Sequence, residues 1–325
     1  MTAPTFSASS LQWVGIAPDT SYGVAAAAPT LYVPVEAPQL TPNQNTLLDK
    51  NLRGAMAGEY AQVPGMRHDT FTFKTDVYLS SVFAFLRAVL GYPDVLSGSA
   101  APYTHKTALQ NKVNGQPAGT TVFYSDGNKT YIMPGAIASN VKVTIKSDDV
   151  ATLDVTYMGL PSTEAAPLTN TPDTTLPMAS WNTTITVGGT AFTEFSEIIL
   201  DFKRTVAPVV TITGTQAPYA IAAGELTLQI DFTGVFQGST DVNWVNYLTG
   251  AQTAVVAKIA PIGDAVNSVT FQMSKVAYSA ATFTPGAEYF EVKATGRALA
   301  NATDALDGVL SPAQVVMLSP VSTAI

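Results

Sequence analysis

Residues 65–91, with the sequence GMRHDTFTFKTDVYLSSVFAFLRAVLG, change their apolar period about half-way along. Phe71 and Phe73 alternate with polar residues, which places their rings on one face of a β-strand. Between residues 78 and 90 the apolar side chains recur at helical spacing and cover more than one face. The stretch therefore predicts a half-buried strand followed directly by a helix that is apolar on two sides.

A second stretch, residues 224–250 with the sequence GELTLQIDFTGVFQGSTDVNWVNYLTG, has the same order of strand and helix. Its first and last glycines stand 159 residues beyond those of the first stretch (224 − 65 = 159 and 250 − 91 = 159). The same offset aligns Phe73 with Phe232 and Phe85 with Trp244. The pattern predicts an internal repeat of one structural unit.

Capping residues fit both predicted helices. Thr75 or Asp76 can accept hydrogen bonds from the first turn of the first helix, and Thr240 or Asp241 can do so for the second. A glycine closes each stretch, at residues 91 and 250, as at many helix ends with a left-handed backbone conformation. We therefore expect each helix to start soon after its strand and to end at its glycine.

Each half of the chain continues with two alternating strands. They end at Gly159 in the first half and at Gly296 in the second, an offset of 137 (296 − 159 = 137). The smaller offset indicates extra residues in the first half. We assign them to an inserted loop, residues 92–138, in which FYSDGNKTYIM predicts a hairpin.

The length of 325 residues allows two domains of about 150 residues. Residues 161–180 are rich in Pro, Thr and Ser, which is typical of a linker. The predicted fold is mainly β, with β-sandwich or barrel units that are each flanked by an α-helix. The predicted order is an N-terminal arm (1–35), a first unit (36–160), a linker (161–180), a second unit (181–296) and a C-terminal arm (297–325).

The composition indicates an assembly protein. Charged residues make up 12% of the chain, hydrophobic residues 46%, and the mean hydropathy is +0.20. Copies with so few surface charges repel each other weakly, so we expect partner subunits to cover much of the surface. The net charge of −8 and the scattered basic residues argue against a surface that grips nucleic acid. No apolar run approaches the ~18 residues of a membrane span, so no membrane insertion is expected.

Residues suited to catalysis or metal binding are scarce. The chain has no cysteine, and its two histidines, His68 and His105, lack a neighbouring motif. The segments SDD (147–149) and DGN (126–128) are better explained as turns than as paired carboxylates or a calcium loop. We therefore expect no enzyme activity, no cofactor and no metal.

The order of these features resembles that of the major tail protein, or tail tube protein, of long-tailed bacteriophages with flexible, non-contractile tails. The likeness is carried by SYGVAAAAPTLYVPV (21–35), LTPNQNTLLDKNLRGA (40–55), the strand and helix quoted first, and SNVKVTIKSDDVATLDVTYMGLPS (139–162). The resemblance implies sandwich units that form six-unit rings and stack into a hollow tube. With two units in one chain, three chains would close a ring, and six chains are the alternative.

The resemblance also implies partners and a location. The partners are further copies of the chain, neighbouring rings, and the tape-measure protein and DNA in the lumen, bound without sequence specificity. The protein would be made in the cytoplasm of the host bacterium and would end in the virion tail. A basic wall would hold DNA phosphates, whereas an acidic or neutral wall lets DNA slide.

Two sets of residues are candidate sites. The polar faces of the two repeated strands are candidates for the lumen wall, and the apolar residues of the two helices are candidates for packing between units. The lumen candidates are Thr70, Thr72, Lys74, Thr227, Gln229, Asp231 and Thr233; the packing candidates are Phe83, Leu86, Leu90, Trp244 and Leu248. We further expect residues 1–35 or 92–138 to bridge successive rings.

A different self-assembling β-rich protein, such as a capsid decoration protein or a surface-layer protein, is the main alternative. Its composition would also be rich in threonine and free of cysteine. An enzyme of the carbohydrate-active sandwich type is disfavoured, because it would need clustered carboxylates beside exposed aromatic residues.

Overall fold

A computed structural model describes residues 8–51, 53–54, 56–264, 266–286 and 288–325. These residues form seventeen strands, all in antiparallel pairs, and two α-helices. The helices are α1 (Val82–Leu90) and α2 (Val242–Thr249). The strands are β1 (Trp13–Pro18), β2 (Leu31–Val33), β3 (Glu36–Asp49), β4 (Ala61–Asp76), β5 (Tyr103–Ala108), β6 (Thr120–Ser125), β7 (Thr130–Lys146), β8 (Thr152–Gly159), β9 (Thr163–Ala165), β10 (Thr183–Val187), β11 (Thr190–Phe192), β12 (Phe195–Val209), β13 (Ala220–Val235), β14 (Gln252–Ile259), β15 (Ser268–Pro285), β16 (Phe290–Ala298) and β17 (Gln314–Ser319).

A continuous central sheet runs through the chain in the order β3-β4-β8-β7-β12-β13-β16-β15. The prediction of a mainly β fold is confirmed. In the first half, β1, β2 and β6 form a second layer, and Val14 and Val122 share a core with Phe71. In the second half, β10, β11 and β14 pair in the same way. Apolar residues between these layers form the sandwich core.

Helix α1 starts later than the sequence analysis predicts. Thr75 and Asp76 still belong to β4, and the Thr75 hydroxyl donates to the carbonyl of Pro34 at 2.6 Å. Neither residue caps the helix, whose N-cap position is Ser81. The predicted end is confirmed, because Gly91 has the left-handed φ of 92°. The capping prediction was wrong since strand pairing holds Thr75 and Asp76 in extended backbone.

Helix α2 follows the sequence prediction at both ends. The Asp241 side chain accepts hydrogen bonds from the backbone N–H groups of Asn243 and Trp244, at 3.0 and 3.1 Å. These bonds satisfy two donors of the first turn, which have no partner inside the helix. Gly250 ends the helix in the left-handed conformation. Local sequence is therefore sufficient to set the bounds of this helix.

The three segments outside the two expected units also take part in the strand network. Residues 8–35 contribute β1 and β2, residues 161–180 contribute β9, and residues 297–325 contribute β17. Residues 1–7 lie outside the described residues. Strand β17 pairs with β15 of the second half and with β5 of the first. The end of the chain thus connects the two halves.

The two halves of the chain meet where β12 pairs with β7. Seven residue pairs form this ladder, from Lys146 opposite Glu197 to Asn140 opposite Lys203. Next to the ladder, Arg204 of β12 is only 5% exposed. Its guanidinium donates to the carbonyl oxygens of Val89, Leu90, Gly115 and Gly224, at 3.0, 3.4, 2.8 and 3.2 Å.

Arg204 therefore caps the C-terminal end of α1 from the other half of the chain. A cation at this position also interacts favourably with the helix dipole. Burial lowers the pKa of Arg204 from its ordinary value, yet the group stays charged because that value is so high. The buried charge is stable here because carbonyl oxygens surround it.

Replacing Arg204 tests the junction between the halves. We expect Arg204→Met to lower the free energy of unfolding by about 3 kcal/mol, because four carbonyls lose their charged donor. Urea denaturation of the purified chain measures this change.

The neighbouring Lys203→Met is the matched control. Its side chain is 65% exposed and forms a surface ion pair with Asp201. Such pairs contribute at most about 1 kcal/mol. Equal losses for the two variants would contradict the assigned role of Arg204.

Candidate functional site

The seven candidate lumen residues lie on one face of the central sheet. Thr70, Thr72 and Lys74 are on β4, and the other four are on β13. Each is partly or fully exposed. The residues between them on the opposite face, such as Phe71 and Ile230, are 0% exposed. The alternation seen in the sequence therefore separates a core face from an open face.

Strand register extends this open face across all eight strands of the central sheet. Thr72 lies opposite Gln39 of β3 and Thr156 of β8, whereas Asp231 lies opposite Ile199 of β12 and Thr295 of β16. We call this surface the polar face. It comprises the alternating residues of β3, β4, β8, β7, β12, β13, β16 and β15 that share a side with Thr72 and Asp231.

Charges on the polar face alternate in sign. Its carboxylates are Glu36, Asp76, Asp154, Glu197, Asp201, Asp231 and Glu291; its cations are Lys74, Lys142, Lys146, Lys203, Lys293 and Arg297. Lys74 Nζ lies 3.4 Å from Glu36 Oε2, and Lys203 Nζ lies 2.7 Å from Asp201 Oδ2. The hydrogen bond with Asp201 raises the pKa of Lys203. Carboxylates and cations are close in number, so the polar face is nearly neutral, although the whole chain is acidic.

The packing candidates of α1 are covered within the chain itself. Phe83, Leu86 and Leu90 are each 0% exposed. The helix contacts β7, β5, β12 and β17, so both halves of the chain surround it. The Phe83 ring meets the ring of His105 of β5 edge-on, with centroids 5.8 Å apart. A helix that is apolar on two sides is explained by neighbours on two sides.

The packing candidates of α2 are less covered. Trp244 packs edge-on against Phe283 of β15, with ring centroids 5.2 Å apart, and also contacts Phe236. Leu248, in contrast, is 63% exposed, and Val245 and Tyr247 beside it are 37% and 39% exposed. This outer side of α2 is an apolar surface without a partner in the described part of the chain.

A model of the family described as phage tail tube protein matches residues 10–298. The chain belongs to the phage tail tube protein family. The match includes both halves of the chain and the ladder between them. A search of the curated proteins finds no match. Family membership assigns this tail tube protein a structural role in the virion tail, through self-assembly into a tube.

His105 of this tail tube protein has surroundings that suit a structural role. His105 is fully buried; its Nδ1 lies 2.6 Å from Asp94 Oδ2 and its Nε2 lies 3.0 Å from the carbonyl oxygen of Val321. His68 lies on β4 opposite Asn43. Within the described residues, no group of three or more His, Cys, Asp or Glu side chains could hold a metal ion. None of the helices in these ranges is long and apolar enough to cross a membrane.

Sequence reasoning missed much of the polar face. Lys142 and Thr144 alternate with Val141 and Val143 in β7, so their period alone could have identified them. Arg204, by contrast, had no such signal. Nothing in its local sequence shows that it reaches the C-terminal end of a helix more than a hundred residues earlier in the chain.

Adjacent substitutions in β13 test the separation of the two faces. Phe232 is 1% exposed, so we expect Phe232→Ala to lower the free energy of unfolding by about 3–5 kcal/mol. Thr233 lies on the polar face, and Thr233→Ala should change that free energy by less than about 0.5 kcal/mol. Thermal or urea unfolding of both variants measures the difference. A large loss for Thr233→Ala would mean that the polar face is packed rather than open.

Proposed function

We propose that this tail tube protein assembles into rings whose stacking forms a hollow tube, and that DNA passes through this tube to the host. The observation that carries the proposal is the central sheet, which has one open, nearly neutral face. Among the described residues it also has a strand edge without a partner at each end, along β3 and along residues 278–285 of β15. An open sheet can extend from copy to copy until it closes on itself. No catalytic role is part of the proposal.

We further propose that the chain contains two tandem units. The order β3-β4-β8-β7 in the first half corresponds to β12-β13-β16-β15 in the second. In each half a helix follows the second strand of this order. In the first half β1 pairs with β2 and with β6, and in the second half β10 pairs with β11 and with β14. By this correspondence β6 is equivalent to β14, so the extra residues of the first unit are 92–119 rather than 92–138.

Two units per chain support a ring of three chains. The β7–β12 ladder joins units inside one chain, and a similar junction between β15 and β3 of successive chains would join the rest. Every contact between units would then have the same head-to-tail geometry. Repeated contacts of this kind form a closed ring when the rotation between units allows it.

The polar face would form the wall of the lumen. Duplex DNA carries one negative charge per ~1.7 Å of its axis, so a wall with unpaired cations would bind it strongly. The cations of the polar face are matched by carboxylates, and Lys74 lies beside Glu36. This balance favours passage of DNA and of the tape-measure protein without sequence-specific contacts. The protein would be synthesised in the cytoplasm of the host bacterium.

Contacts between successive rings need exposed surface at the two ends of each ring. Much of residues 8–35 and 92–138 is packed within the chain, although Val113 is 96% exposed. The far ends of the β3–β4 and β12–β13 hairpins also expose apolar side chains. These include Leu47, Val63, Val210, Ile212 and Tyr219. We add these hairpin ends to the candidates for contacts between rings.

The mass of a single ring tests the stoichiometry. Three chains of 34.0 kDa give 102 kDa (3 × 34.0), whereas six chains give 204 kDa (6 × 34.0). We expect native mass spectrometry of the purified chain to detect the 102 kDa species and electron microscopy to show rings or hollow tubes. Flat arrays or persistent monomers would contradict the proposal and favour a decoration or surface-layer protein.

Added charge tests the lumen wall. We expect tubes in which Thr70, Thr72, Thr227 and Thr233 are all replaced by lysine to retain duplex DNA at low salt and to release it as the salt concentration rises. The matched control replaces the same four threonines with glutamine, which adds similar length without charge. Gel-shift or co-sedimentation assays measure the retained DNA. If the lysine tubes assemble and retain no more DNA than the glutamine tubes, the polar face does not line the lumen.

A further inference from the structure

We propose that the outer side of α2 and one edge of β15 bind the β3 edge of a second copy, and that Gln44 of this copy caps the C-terminal end of α2. The edge of β15 meant here is that of residues 278–285, which pair with β16 and have no strand on their other side among the described residues. The proposal rests on the head-to-tail ring described above. It adds the surface, the strand register and the capping residue of the contact between chains.

The contact inside the chain supplies the template. Strand β12 pairs with residues 140–146 of β7, and Arg204 of β12 caps the C-terminal end of α1. Strand β12 therefore covers the strand edge of the first unit and caps the end of α1, while β5 and β17 also lie against this helix. In the second unit, the corresponding strand edge and helix have no such cover within the described residues.

Equivalent residues of the two helices differ in how much of their side chains is exposed. The offset of 159 aligns Leu86 with Val245 and Val89 with Leu248 (86 + 159 = 245 and 89 + 159 = 248). Leu86 and Val89 are 0% exposed, whereas Val245 and Leu248 are 37% and 63% exposed. The apolar character is kept in α2, but none of the described residues covers these two side chains. A second copy provides this cover.

The strand register of the contact follows from the same correspondence. Leu200 of β12 lies opposite Ile230, and Leu40 of β3 lies opposite Phe71, so Leu200 and Leu40 are equivalent. The bulge after Ala138 in β7 matches the bulge after Tyr278 in β15, which makes Val143 equivalent to Phe283. Because Val143 lies opposite Leu200, we place Phe283 opposite Leu40 of the second copy.

Gln44 occupies the position of Arg204. Arg204 lies opposite Leu226, Gln44 lies opposite Arg67, and the two partners differ by the same offset (226 − 67 = 159). Gln44 is exposed. Its side-chain amide can donate two hydrogen bonds to carbonyl oxygens at the end of α2. No side chain of the described residues donates to the carbonyls of Leu248 and Thr249.

The contact between copies is expected to be weaker than the contact inside the chain. Glutamine is uncharged, and Pro38, Pro42 and Pro285 cannot donate to a strand ladder. Residues 92–119 also strengthen the internal contact: the Gln116 amide bonds both the N–H and the carbonyl of Ala223, at 2.7 and 2.9 Å. The second unit has no comparable insertion between α2 and β14. A weaker contact allows rings to form from separate chains and discourages unspecific pairing of the edges.

Engineered disulfides test the register, because the chain has no cysteine of its own. The proposed register places Thr282 opposite Thr41, as Lys142 lies opposite Asp201. Both threonines are exposed. Thr41→Cys and Thr282→Cys proteins are mixed, oxidised and run on a denaturing gel without reductant. The control mixes Thr41→Cys with Thr284→Cys, which is displaced by two residues.

We expect a covalent dimer from the first mixture at several times the yield of the control. If both mixtures give the same amount of dimer, or none, while the unmodified protein forms rings, the inferred contact is wrong and the proposed ring still stands. Failure of the unmodified protein to form rings overturns both.

Substitutions at Gln44 and α2 test the side-chain contacts. Gln44→Arg gives the contact between copies the charged donor that Arg204 supplies inside the chain. This variant should lower the protein concentration at which rings form by several-fold. Leu248→Asp should raise it at least about tenfold, because it places a charge on an apolar contact. The control is Leu176→Asp, since Leu176 is 84% exposed and lies outside the proposed surface. Unchanged ring formation for both test variants, with unfolding curves like that of the parent protein, would contradict the proposal.

Discussion

The antiparallel ladder between β7 and β12 is the constraint on which the rest of the structure depends. It turns two sets of strands into one sheet and gives that sheet a single polar face and two free ends. Its register is supported by opposite charges, since Lys146 faces Glu197 and Lys142 faces Asp201. A shift by one residue would move every polar side chain of β12 into the core. Arg204 fixes α1 against the same ladder and so sets the position of the helix relative to the sheet.

The small fraction of charged residues in this tail tube protein has one explanation on the polar face and another on the outer side of α2. On the polar face, charges are present and are balanced across neighbouring strands, which keeps the local potential small. On the outer side of α2, charges are absent and apolar residues are exposed. The first arrangement suits the lumen wall proposed above, and the second suits a surface that a further copy can cover. A single figure for net charge therefore says little about either surface.

Alternation predicted the strands well wherever one face of the sheet is buried and the other is open. The residues of β4 and β13 on the polar face were identified in this way, and Asp241 and Gly250 were sufficient for the bounds of α2. The start of α1 was missed because strand pairing extends β4 through Asp76. The alignment of Gly159 with Gly296 also failed: Gly296 lies opposite Ile230, whereas Phe71 lies opposite Tyr157. Strand partners, and not matching glycines, define equivalent positions.

By itself the sequence determined local periodicity, the capping of α2, the absence of cysteine and the repeated order of strand and helix, because each of these depends on residues close together in the chain. The tertiary structure alone decided which strands meet at β7 and β12, that Arg204 reaches the end of α1, and that the described residues leave the outer side of α2 uncovered. These features join residues far apart in the chain, where no local pattern records the partner. The entropy of closing such long loops is offset only when the whole sheet forms.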